Sequence, residues 1–128
     1  MKNSKILVVD DEPDVVMFIA RALNGEGYDV ISAYDGISAL DLAETESPDL
    51  VVLDIMMPMM SGYEVCEQLK ANPQTQHIPV LCVSSAHNPN ARERTREAGA
   101  ATLLLKPFSP AELVAQVKRH LTKSHEAV

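Results

Sequence analysis

Tryptophan is absent, and tyrosine and phenylalanine together make only 4% of the 128 residues, so any interior must be built from aliphatic side chains. No apolar run is long enough to cross a bilayer. The opening MKNSKILVVDDE lacks the cleavable pattern of a secretory leader, because its short apolar part meets acids at once. A soluble, cytoplasmic protein with no membrane partner is expected. Basic residues are few, 11 against 18 acidic ones, for a net charge of −7. That balance argues against direct binding to a nucleic acid backbone, itself polyanionic, and suits a protein that binds cations or meets basic surfaces. Cysteine is limited to Cys66 and Cys82, with no CxxC and no neighbouring histidine, which points to buried reduced thiols rather than a disulfide or a zinc site. Repeats, low-complexity tracts and linkers are missing too. One domain is expected over residues 1–122, with 123–128 as a tail and Ser124–Val128 frayed.

What is present is an alternation. Short aliphatic runs at KILVV (5–9), YDVISA (28–33), LVVL (50–53), PVLCV (79–83) and TLLL (102–105) have the length of strands, and three of them are apolar throughout, as strands buried on both faces should be. Between them lie segments of helical spacing. Pro13 to about Gly25 carries Val15, Ile19, Ala22 and Leu23 on one face, with Pro13 suited to a first turn and Gly25 to a C-terminal cap. Ile37, Leu40 and Ala43 mark a second helix, and Val65, Cys66 and Leu69 a third. A short fourth runs about Ala91–Ala98 and stops at Gly99. Ser109 caps the last, with Pro110 at its first position and Leu113, Val117 and Leu121 a turn apart. Five strands alternating with five helices predict a single doubly wound α/β domain, a five-stranded parallel sheet in order 2-1-3-4-5.

In such a fold chemistry sits at the carboxyl ends of the strands. The first strand ends in Asp10-Asp11-Glu12, the third in Asp54, the fourth in Ser84-Ser85 and the fifth in Lys106-Pro107. The second ends in Ala33-Tyr34-Asp35-Gly36, which reads as a turn. Strands one and three are neighbours in the proposed order, so Asp10 and Asp54 converge. Converging carboxylates repel, and an empty pocket should raise a pKa or recruit a cation. Oxygen ligands without histidine or cysteine favour Mg²⁺, for which Mn²⁺ could substitute. With Lys106 as a fixed positive charge and Ser84 as a hydroxyl, the set suits receipt of a phosphoryl group by an aspartate. Taken singly, each residue has a plain counterpart: acids at a helix start, a loop acid, a cap, a solvated lysine. Three apolar strands delivering suitable groups to one end favour a shared site.

These residues resemble the receiver domain of bacterial two-component response regulators, a flavodoxin-like fold. The resemblance is carried by ILVVDDEPDV (6–15), DLVVLDIMMPMMSGYEV (49–65), PVLCVSS (79–85), Ala98-Gly99-Ala100 and LLLKPF (103–108), and it covers about Lys5 to Leu121. It implies that Asp54 accepts a phosphoryl group from a phosphohistidine on a sensor histidine kinase or a histidine phosphotransfer protein. By the same resemblance Asp10, Asp11, Asp54 and the backbone carbonyl of Met56 hold Mg²⁺, and Lys106 contacts the phosphoryl oxygens, its bond to Pro107 being cis. Ser84 would turn to hydrogen-bond the phosphoryl group, with Ser85 the fallback if the strand runs one residue longer. Pro58 and Gly62 would shape the loop after the acceptor. The chain would be a switch rather than a turnover enzyme, assisting only its own phosphorylation and dephosphorylation. It would control a partner or output domain, or a homodimer formed through the last two helices and fifth strand.

Two departures from the family pattern stand out. The aromatic residue usual three positions before the lysine is Leu103, which puts the serine-to-aromatic relay in doubt and shifts attention to the Ala91–Ala98 helix. Met56 and Ala86 cannot orient an attacking water, which predicts a slowly hydrolysing phosphoaspartate. Other readings are a phosphorelay shuttle, an aspartate-nucleophile phosphatase, which would want a second Asp where Met56 stands, and a flavodoxin-like cofactor binder, which would want a Gly-rich loop where Asp10-Asp11-Glu12 stand. His77, His87, His120 and His125 read as surface residues, and Met57, Met59 and Met60 as filling against the core.

Overall fold

Aliphatic runs free of charge can be buried on both faces when helices cover a parallel sheet from each side. The computed structural model describes residues 3–85 and 87–126, with 122–126 described by backbone alone. Strands β1 (Lys5–Val9), β2 (Asp29–Ala33), β3 (Leu50–Asp54), β4 (Val80–Ser85) and β5 (Thr102–Lys106) alternate with helices α1 (Pro13–Asn24), α2 (Gly36–Glu46), α3 (Gly62–Ala71), α4 (Ala91–Glu97) and α5 (Pro110–Glu126). Every strand pair is parallel, and the order is β2-β1-β3-β4-β5, as the sequence predicts. No helix among the described residues is long and apolar enough to cross a membrane.

Alternation along the strands divides the interior into two cores. Leu7, Val9, Val51, Leu53, Val80 and Cys82 face α2 and α3, where Ala39, Ala43, Val65, Cys66 and Leu69 meet them. Ile6, Val8, Leu50, Val52, Leu81 and Val83 face α1 and α5, which supply Ile19, Leu23, Leu113 and Val117. β3 is buried along its whole length, and each such aliphatic side chain contributes about 1.5–3 kcal/mol by leaving water. Both cysteines are free and buried. The contact with Cys66, followed by burial, raises the pKa of the Cys82 thiol.

Several helix faces differ from the sequence reading. α1 turns Val16 inward with Ile19 and Leu23, while Val15 and Ala22 are half-buried. Gly25 caps α1 in a right-handed conformation, φ −62°, and the left-handed residue is Gly27, φ 89°, so the chain completes another turn before reversing. α2 buries Gly36, Ala39 and Ala43, whereas Ile37 is 74% exposed and Leu40 half-buried. Small side chains let this helix lie close, and a Cβ on Gly36 would come within 2.9 Å of Val65. α5 continues to Glu126, into the segment read as a tail, because no proline or glycine follows Pro110. His120 is buried rather than on the surface, since it falls one turn from Val117 on the inward face of α5, and Met59 is fully exposed rather than packed. The side chain of His125 lies outside the described residues.

Candidate phosphoacceptor site

Three strands end at one pocket. β1 delivers Asp10, whose own N–H donates to the Ala33 carbonyl at 3.2 Å and so continues the strand's pairing beyond Val9. β3 delivers Asp54 as its last residue, and β5 delivers Lys106 as its last. Asp10 and Asp54 are 1% and 4% exposed. The Lys106 Nζ lies 3.8 Å from Asp10 Oδ2 and equally 3.8 Å from Asp54 Oδ1. One ammonium therefore answers two buried carboxylates.

That balance leaves negative charge in excess. Burial, then the Asp10 charge, push the Asp54 carboxyl up to about 6, against the lowering pull of Lys106 and the Met56 N–H. Burial likewise raises Asp10, although the Glu12 N–H donates to its Oδ1 at 2.9 Å. Both acids are raised, chiefly by burial; Asp10 repels Asp54, while the repulsion on Asp10 comes from Asp11 and Glu12. Asp10 Oδ2 is buried and, among the described residues, has no hydrogen-bond partner. The carboxylates of Asp10, Asp11 and Glu12 lie within 4.8 Å of one another. An orphaned buried oxygen beside a cluster of hard oxygen donors fits a hard divalent cation. Glu12 enters this cluster unforeseen, although its place in the run Asp10-Asp11-Glu12 was the available signal.

The loop after Asp54 is shaped by backbone contacts. The Met56 N–H donates to Asp54 Oδ1 at 3.3 Å. Met59 turns left-handed, φ 70°, and the Met60 N–H closes the turn on the Pro58 carbonyl at 2.8 Å. Gly62 then donates to the Ile55 carbonyl at 2.9 Å, so close that a Cβ there would sit 2.6 Å from Ile55 Cα. Only glycine fits that approach. Ser61 opens α3 with a reciprocal cap, its hydroxyl accepting from Glu64 N and its own N–H donating to the Glu64 carboxylate.

β4 runs through Ser85, longer than the run PVLCV suggested, so both serines stand at the strand's end. Ser84 is completely buried. Its hydroxyl donates weakly to the Ser85 carbonyl at 3.4 Å and accepts from Asn88 Nδ2 at 3.1 Å. The Ser85 hydroxyl accepts from the His87 N–H at 3.2 Å. Asn88 was not foreseen, because nothing local marks a loop asparagine as the partner of a residue four positions earlier. The Lys106–Pro107 bond is cis. Leu103, at the position of the missing aromatic, packs half-buried against the core shared with α2 and α3 and lines a groove with Arg92, Thr95 and Arg96.

Comparison with known proteins converges on one family. The response regulator receiver domain family matches residues 6–118. The chain is 46% identical over 125 residues to the alkaline phosphatase synthesis transcriptional regulatory protein PhoP of Bacillus subtilis, covering 98% of this chain and 51% of that protein. It is 40% identical over 121 residues to the response regulator PleD of Caulobacter vibrioides, covering 94% of this chain and 26% of that protein. The chain thus spans about half the length, or less, of these curated relatives. Among solved structures, the chemotaxis protein CheY4 of Vibrio cholerae superposes with a TM-score of 0.87 at 30% identity, over 92% of this chain and 98% of that one.

Proposed function

The chain belongs to the response regulator receiver family, and on that premise we propose that Asp54 is its phosphoacceptor, taking a phosphoryl group from a phosphohistidine on a sensor histidine kinase or phosphotransfer protein. The observation that carries the assignment is Lys106 held 3.8 Å from both Asp10 and Asp54, at the carboxyl edge of the sheet. Asp54 attacks as its carboxylate, and with a pKa of about 6 that form predominates at pH 7. A P–O bond forms in line as the P–N bond breaks, and the ring nitrogen leaves with the electron pair. Lys106 meets the negative charge carried by the transferring oxygens. Mg²⁺, with Mn²⁺ as a substitute, would offset more of that charge when held by Asp10, Asp11, Asp54 and the Met56 carbonyl, with Glu12 nearby.

Ser84, completely buried one residue before the end of the neighbouring strand, is the hydroxyl that reports the new group, and the half-buried Ser85 stays the fallback because the strand runs through it. An open groove lined by Val15, Phe18 and Phe108 leads to Lys106 and gives a donor domain an apolar approach. The domain acts as a cytoplasmic regulatory switch, with control exerted on a protein partner, an output domain or a second copy through α4, β5 and α5. The test is incubation with Mg²⁺ and acetyl phosphate, followed by intact-mass measurement. The parent should gain one phosphoryl group and Asp54→Asn none; no gain in the parent, or an equal gain in the variant, removes the assignment.

A further inference from the structure

We propose that Asn88 is a latch on the resting domain: its side-chain amide holds the Ser84 hydroxyl and must let go when Asp54 is phosphorylated. The inference rests on Asp54 being the acceptor. Its observations are separate.

Asn88 Nδ2 lies 3.1 Å from Ser84 Oγ and 3.9 Å from Met56 Sδ, so one amide spans the reporting serine and the residue two past the acceptor. A serine hydroxyl has one hydrogen and two lone pairs. In Ser84 the hydrogen makes only a long bond to the Ser85 carbonyl, and Asn88 supplies the one donor to the oxygen among the described contacts. Ser84 is 0% exposed, so water cannot readily replace that donor. A phosphoryl oxygen is a charged acceptor and a stronger partner for the hydroxyl than a carbonyl at 3.4 Å. Rotation about Cβ–Oγ would move only the hydrogen; the release follows when the side chain turns about Cα–Cβ toward the acceptor, which carries the oxygen itself away from Asn88.

The release has somewhere to go. The Asn88 N–H donates to the Ser85 carbonyl at 3.2 Å, making the turn that leads through Asn90, left-handed at φ 60°, into α4. The latch therefore joins Ser84 to the start of α4 without any aromatic side chain at Leu103. Asn88 is a positioning residue acting through Ser84.

Because the contact exists in the resting state, removing it should favour the phosphorylated arrangement. Beryllofluoride, an acyl-phosphate mimic, titrated calorimetrically with Mg²⁺ present, should bind Asn88→Ala about fivefold more tightly than the parent, the worth of one ordinary hydrogen bond. The gain should vanish when both proteins carry Ser84→Ala. Equal or weaker binding by Asn88→Ala, or a gain that survives Ser84→Ala, overturns the latch. Amide exchange across residues 91–97 without ligand supplies an independent arm: Asn88→Ala should accelerate it, and unchanged exchange counts against the latch. A parent that binds no beryllofluoride would instead indict the acceptor assignment, and the exchange arm would still decide whether Asn88 holds the loop.

Discussion

At Asp54, burial and the neighbouring Asp10 charge overcome Lys106 and the Met56 N–H, carrying the carboxyl from 3.8 to about 6. The folded protein keeps this proton between those values after the unfolded chain has lost it. The associated stability is therefore fully present below about 4 and is lost as pH rises through about 6. Asp54→Asn removes a buried charge that is costly at neutral pH. Urea unfolding with chelator present should find the Asp54→Asn variant more stable than the parent at pH 7, by at most about 3 kcal/mol for a shift of roughly two units. Its advantage should shrink toward pH 4, and equal stabilities at pH 7 would defeat the burial account. Asp10, Asp54 and Lys106 were legible in the sequence because each directly ends a run whose length fixes its position. Asn88, Met59 and His120 were not, because a loop side chain's partner, or the burial of one helical residue, depends on what the rest of the chain places opposite.

At the scale of elements, α4 is the shortest of the described helices. It runs only Ala91–Glu97, and no side chain caps its start. Isolated helices this short are marginal, so its stability comes from contacts. Arg94 stacks its guanidinium 4.0 Å from the Tyr63 ring of α3, and Cys66 Sγ donates to the Ala98 carbonyl at 3.4 Å. Among the described residues, the buried Thr95 hydroxyl has no hydrogen-bond partner. Arg94→Ala should loosen the helix, at a cost of roughly 0.5–1 kcal/mol. Amide exchange in residues 91–97 should accelerate severalfold while α1 is unaffected, and unchanged exchange would mean the cation–π contact is idle. Four strands were read to within a residue, since a mainly aliphatic run has one way to be buried, while β4 runs two residues past PVLCV. On α2, Ala43 and the half-buried Leu40 meet the core as read, but Ile37 does not, because Gly36 and Ala39 fit the same helical period and the close approach to α3 selects the smaller residues.

For the whole molecule, folding assembles a site that is unfavourable by itself, with carboxylates from β1 and β3 forced together by the order of the sheet. A cation that binds only the folded chain should therefore stabilise all of it, by about 2.7 kcal/mol at a hundred times its dissociation constant. Thermal unfolding of the parent should shift upward by several degrees on adding Mg²⁺, and Asp11→Asn should shift less. A melting temperature indifferent to Mg²⁺ would remove the metal from the mechanism. The doubly wound order was legible in the alternation of elements, and the pocket followed from that order. The sheet has a further consequence for how such a chain can change over generations. Its two cores share a backbone but meet on opposite faces, so a volume lost at Leu53 can be refilled only by neighbours such as Val65 or Leu69, and one lost at Val52 only from the side of Ile19 and Val117. Compensating substitutions should then accumulate as two separate lineages of repair, each confined to its own side, while the acidic edge where both cores end is answerable to both.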